Sequence, residues 1–160
     1  MSHKADAVTI RHLLEVSGAL SVLARWFVGE WAPYYGPEGP GDAEADLKAA
    51  SDRDRLPLCL VALDAAGEVT GTIALRAESV ISHRHLTPWL AALLVAPERR
   101  RGGIGTALIA AVEDEARRLG FERIYTGTDV AAGLIERRGW RPLDTGATLT
   151  GPVKVYALDL

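Results

Sequence analysis

The chain contains a single cysteine, Cys59, which excludes a disulfide framework and any cysteine-based metal site. No apolar run approaches the roughly 18 residues that a membrane-crossing helix requires. Residues 1–10 lack the apolar segment of a secretory signal, so the expected location is the cytoplasm, without a membrane partner. An excess of positive charge is also missing. Lysine and arginine number 18 against 21 acids, a formal net charge of −3, which argues against a nucleic-acid partner. Internal repeats, low-complexity tracts and any linker long enough to separate domains are absent. What remains is 160 residues, 48% hydrophobic and 24% charged, enough for one ordinary core, so a single domain over 1–160 is expected. A homodimer stays compatible with these numbers.

The pattern along the chain alternates helices and strands. Residues 13–31 place Leu20, Leu23, Phe27 and Trp31 at helical spacing, with Ser17 as the expected cap and Ala32-Pro33 as the stop. Residues 34–41 read as a loop, and a short helix capped by Asp42 is expected to about Ala50. Residues 58–63 form a continuous apolar run, and residues 68–76 alternate after the turn Asp64-Ala65-Ala66-Gly67; together they predict a hairpin. A polar connection at 79–88 contains His83 and His85. The wholly apolar stretch 89–95 suits a strand covered on both faces. Residues 106–119 are helical, with Glu113–Arg117 and Asp114–Arg118 as i,i+4 pairs and Gly120 as the stop. A strand at 123–126, a short helix at 131–138 and a closing strand at 153–160 complete a mixed α/β (α+β) layered fold.

The most informative stretch is Val95-Ala96-Pro97-Glu98-Arg99-Arg100-Arg101-Gly102-Gly103-Ile104-Gly105-Thr106, which joins the apolar strand to the long helix. Glycines there let the backbone turn tightly and expose successive N–H groups, and the helix start adds partial positive charge. Such an arrangement cradles a pyrophosphate. Taken singly, three arginines suggest a solvated surface and the glycines suggest a plain turn. Their coincidence at a strand-to-helix junction favours the phosphate site. A dinucleotide fingerprint is rejected because Leu108 occupies the third glycine position, and a P-loop because its lysine is missing.

Val95-x-Pro97-x-x-Arg100-x-x-Gly103-Ile104-Gly105-x-x-Leu108 resembles the acyl-CoA signature of the GNAT acetyltransferase superfamily, and Leu134-x-x-x-x-Gly139-Trp140 follows in matching order. The resemblance is specific over residues 89–143. It implies a central mixed β-sheet flanked by helices, with a strand–loop–helix acyl-CoA site, and direct transfer of acetyl from acetyl-CoA to a primary amine without a metal. The main chain of Leu93, Leu94 and Val95 would hold the pantetheine arm. The N–H groups of Arg100, Arg101, Gly102, Gly103, Ile104, Gly105 and Thr106 would hold the pyrophosphate. Thr128, Ala131 and Leu134 would line the far side. Two departures matter: Ile135 stands where the family usually has the tyrosine that protonates the leaving thiolate, and Thr128 where many members have asparagine.

An alkylammonium must lose a proton before attack. The apolar strand offers no carboxylate, so the nearest candidates for that catalytic role are His85, His83 and Glu78. Histidine titrates near neutrality and is preferred chemically, although a solvated loop explains all three as well. Trp26, Trp31 and Tyr34 are the candidate acceptor-binding residues. Residues 30–54 hold seven acids against two bases, which suits a solvated face and would also attract a cationic small-molecule or peptide amine. Cys59, in a strand-like run, reads as a buried hydrophobe. The rival reading is a non-catalytic acyl-CoA-binding module, favoured by Ile135 and opposed by the intact phosphate loop and by the rate that proximity alone supplies.

Overall fold

The computed structural model describes residues 8–100, 102–128, 131–148 and 151–160. Among the described residues seven strands form one sheet: β1 Thr9–His12, β2 Leu58–Leu63, β3 Val69–Arg76, β4 Trp89–Val95, β5 Arg123–Thr128, β6 Arg141–Thr148 and β7 Gly151–Asp159. Their order across the sheet is β1-β2-β3-β4-β5-β7-β6. Every neighbouring pair is antiparallel except β4 with β5. That single parallel pair is joined by a helical crossover, as parallel neighbours require.

The helices are α1 Ala19–Glu30, α2 Ala32–Tyr35, α3 Ala43–Ala49, α4 Ile104–Arg118 and α5 Ala132–Arg137. Strand β2 shows why two layers form on the sheet. Leu58, Leu60 and Ala62 join Ile104, Leu108, Ile109, Val112 and Ala116 of α4 in one core. Cys59 and Val61 point the other way, into a second core with Leu23 and Phe27 of α1 and Leu47 of α3. Helix α4 lies close on β3 because Gly71 has no side chain; a Cβ there would meet Leu108, Ile104 and the Leu94 carbonyl at 3.0–3.2 Å.

Several local expectations need correction. The segment 13–31 is not one helix: a 3-10 turn, Leu13–Glu15, precedes α1, and the N-cap is Gly18 at φ 82°, not Ser17. Tyr34 and Tyr35 belong to the helical turn α2, which tolerates Pro33 because a first-turn residue needs no intrahelical N–H bond. Helix α4 starts at Ile104, two residues earlier than the periodicity suggests. Its expected i,i+4 pairs are not formed. Glu113 turns inward, Arg117 meets Asp114 at i,i+3, and Arg118 bonds Glu115 and Asp54. Strand β6, with no strand pattern in its sequence, is the sheet's edge, mostly exposed and interrupted by Pro142, where a missing N–H is tolerated. Asp42 caps α3 as expected, accepting from the Ala45 N–H at 3.0 Å.

Candidate active site

The site starts with a break in the sheet. Thr72 pairs with Leu94, but Ala74 pairs with Ala91, so β4 carries an extra residue between these registers. Ala92 takes the strain at φ 54°, a left-handed conformation uncommon outside glycine. Such outliers persist only where the surrounding structure enforces them, and they gather at functional sites. On its other side β4 pairs with β5 only at Trp89↔Tyr125 and Leu90↔Thr126. Beyond Leu90 the two strands diverge, leaving the bulged end of β4 without a β5 partner in the register.

Helix α4 begins beside this opening. Gly103 forms its N-cap at φ 83°, which only glycine adopts without cost. A Cβ on Gly102 would come no closer than 3.4 Å to another atom, the Arg99 carbonyl, so the loop surface here is open backbone. On Gly105 a Cβ would lie 3.3 Å from Leu134, so this glycine seats α5 against α4. The Ile104 side chain is buried in the core and leaves only its backbone to the loop. The three arginines divide. Arg99 is held by Asp64 at 2.7 Å, and Arg100 donates from Nε to the Val95 carbonyl at 3.1 Å. Arg101 lies outside the described residues. Thr128 accepts from the N–H of Ala131, the residue before α5, at 3.0 Å.

A cavity of about 750 Å³ enters the gap between β4 and β5. One wall is Glu30, Trp31, Tyr34 and Tyr35; the floor includes Leu90, Ala91, Ala92 and Leu93; Thr126, Thr128, Ala131 and Ile135 close the far side. A smaller space of about 180 Å³ is bounded by Trp26, Glu30, Leu94, Val95 and Arg100. Glu30 borders both.

The sequence candidates therefore separate. Trp31, Tyr34 and Glu78 line the large cavity together with Leu93, Thr128 and Ala131. Trp26 faces the smaller space, among residues assigned to the acyl-CoA side. Glu78 is paired with Arg84 at 3.5 Å. Neither histidine lines either cavity. His83 is buried against the edge strand, with Nε2 2.7 Å from Asp144 and Nδ1 2.7 Å from Ser82. His85 is exposed, its ring stacked on that of His83 at 5.9 Å. The acid-rich segment is likewise committed elsewhere. Asp42 caps α3, Asp46 accepts from Tyr35 at 2.6 Å, Asp52 accepts from the Asp54 N–H, and Asp54 meets Arg118. Of its seven acids only Glu30 borders the cavity.

Residues not foreseen complete the walls. Arg76, the last residue of β3, lines the cavity and stands against the Tyr35 hydroxyl. Burial, reinforced by the bond to Asp46, pushes the Tyr35 phenol up to about 12, so it stays protonated at any physiological pH. Ile135 is 1% exposed, shared between the core and the cavity wall. Cys59 takes no part: burial raises its thiol to about 11, and it is an inert core residue. Among the described residues no group of His, Cys, Asp and Glu is arranged to hold a metal. No helix there is long and apolar enough to cross a membrane.

Solved structures share this architecture. An aminoglycoside 6'-N-acetyltransferase complexed with coenzyme A aligns with TM-score 0.74 at 17% identity, over 94% of this chain and 96% of its own. A GCN5-related N-acetyltransferase from Kribbella flavida aligns with TM-score 0.74 at 21% identity, over 96% and 98%. An aminoglycoside acetyltransferase, AAC(6')-Ib, in complex with coenzyme A and kanamycin aligns with TM-score 0.71 at 19% identity, over 96% and 95%. No curated protein sequence matches the chain. These identities establish the fold. The family rests on the sequence itself: the profile of the acetyltransferase (GNAT) family matches residues 22–140, most of the chain and all of the strand–loop–helix unit. The chain thus belongs to the GNAT acetyltransferases, acetyl-CoA-dependent transferases.

Proposed function

We propose that the chain acetylates the primary amine of a small molecule by direct attack on the acetyl-CoA thioester. The observation that carries this reading is the cavity that runs into the divergence of β4 and β5, with the first turn of α4 packed against Val95 at the end of β4 and Leu134 of α5. Its volume suits the reacting end of the pantetheine arm together with a small acceptor. The N–H groups from Arg100 to Thr106, at the positive end of α4, would hold the pyrophosphate. The main chain of Leu93, Leu94 and Val95, freed from β5, would hold the arm as an added strand. Thr128, Ala131 and Leu134 would close its far side. Acetyl-CoA brings an activated acyl group, so the protein's task is to orient the amine and take its proton.

For that proton Glu30 is favoured over His83 and His85, since it borders both spaces and makes no ion pair among the described residues. Glu78 is engaged by Arg84. Ile135 offers no proton to the thiolate, so water or the released ammonium proton serves instead. A thiol titrating near 8.5 asks for no strong acid. The other reading, a module that holds acyl-CoA without turnover, draws on Ile135 alone. Release of free CoA, followed over a panel of amines that includes kanamycin, decides between them. Amine-dependent release supports the enzyme. A thermal shift with acetyl-CoA but no release with any amine supports the module. No thermal shift at all defeats both.

A further inference from the structure

Among the described residues four charged side chains line the large cavity: Glu30, Arg76, Glu78 and Arg84. Two of them neutralise one another, because Glu78 and Arg84 pair at 3.5 Å and are both exposed. The remaining two are opposite in sign. Arg76 forms no ion pair among the described residues. The Tyr35 hydroxyl faces its guanidinium and is committed as a donor to Asp46. Arg76 is also half-buried at the end of β3, in register with the fully buried Trp89. A guanidinium in that setting has lost some of its hydration, and a planar anion restores the interaction through two parallel hydrogen bonds. Glu30, at the end of α1, supplies the complementary negative charge near the smaller space.

We infer that the acceptor is an amine that also bears a carboxylate, an amino-acid-like zwitterion, with its carboxylate held by Arg76 and its ammonium drawn to Glu30. This rests on the acetyltransferase reading and narrows it. A polycationic acceptor would have to place positive charge against Arg76, a like-charge contact that selects against it. Trp31 and Tyr34 then offer apolar surface to the acceptor's side chain.

The test measures CoA release with the twenty amino acids, each compared with its decarboxylated amine, and with kanamycin. The expected result is a kcat/KM at least tenfold higher for the best amino acid than for its decarboxylated partner. In Arg76→Gln that ratio falls at least tenfold, while the thermal shift with acetyl-CoA persists. Arg76→Lys, which keeps charge but loses the fork, gives an intermediate ratio and serves if the glutamine variant fails to fold. A ratio near one in the unmodified protein, a ratio indifferent to Arg76→Gln, or a preference for kanamycin overturns the inference while leaving acetyl transfer standing. Absence of release with every amine instead overturns the acetyltransferase reading beneath it.

Discussion

Gly103 holds φ 83° where α4 begins, a left-handed turn that glycine adopts without cost. An L-residue there costs about 1–2 kcal/mol, so Gly103→Ala is expected to lower Tm slightly and to weaken acetyl-CoA binding more than Tm predicts. Isothermal titration beside a melt separates the two effects. At the other end of α4, Glu113 is 2% exposed and receives Nε and Nη2 of Arg138 at 2.9 and 2.7 Å and the Trp140 indole at 3.0 Å. Burial alone would raise its pKa, but the Arg138 and Trp140 bonds outweigh burial and hold it below the ordinary carboxylate value. Its stabilisation is therefore complete above the unfolded value, near pH 4.3, and disappears as pH falls through the lower folded value. Arg138→Ala strands the carboxylate with one donor and is expected to cost about 3 kcal/mol at pH 7. The deficit should shrink on acidification, as Glu113 becomes protonated and no longer needs the guanidinium. A pH-independent deficit in chemical denaturation contradicts this account.

Val80 shows how an element can depend on what its neighbours omit. It belongs to the connection between β3 and β4 and lies over two glycines of the sheet. A Cβ on Gly127 or Gly146 would come within 2.7 or 2.6 Å of it. His83 fastens the same connection to Asp144 of β6, while Ser82 receives the Ala147 N–H at 2.9 Å. The connection carries Ser79, Ile81 and Arg84 of the cavity wall. Gly146→Ala is thus expected to displace it, raising the acceptor KM several-fold while the KM for acetyl-CoA changes little. Equal changes in both constants would falsify a local role. Legibility in the sequence follows the same physics. The hairpin of β2 and β3, the strand β4 and the helix α4 announce themselves through burial on a fixed period, so their positions are readable. The loop at α4 is readable because its chemistry is local. Strand β6 is not, since an exposed edge carries no apolar alternation. Nor is the bulge at Ala92, because an all-apolar run has no register mark to shift. Nearness in sequence to β4 favours the histidines, but the 3-10 turn Ile81–His83 swings His83 towards β6. Arg76 and Glu30 end their elements, where periodicity no longer tells which way a side chain points.

At the scale of the molecule the sheet is two arms joined by a short seam. One arm is β1–β4; the other is β5, β7 and β6. Across the seam run the two-residue pairing of β4 with β5, the bond from Thr126 Oγ1 to the Leu90 carbonyl at 3.0 Å, and the Trp89–Tyr125 ring contact at 5.6 Å. Helix α4 packs against strands of both arms, and the 3-10 turn Ile81–His83 ties the β3–β4 connection to β6. A ligand lying in the gap touches both arms at once and completes the seam. Binding to the folded state alone adds about 2.7 kcal/mol at a hundredfold excess over Kd. For a chain of this size that corresponds to a rise in Tm of roughly 5–10 °C. Where the gain falls is more informative than its size. If acetyl-CoA bridges the arms, amide hydrogen exchange should slow most at residues 91–95 and 124–128 and at the first turn of α4. Amides of β1, which pairs only with β2 at the opposite edge, should change least because they exchange by local fraying. Protection confined to the start of α4 would mean that the phosphates bind without the pantetheine arm entering the gap. The two arms would then move independently with the ligand in place, and the cavity between them would have to be assigned to the acceptor alone.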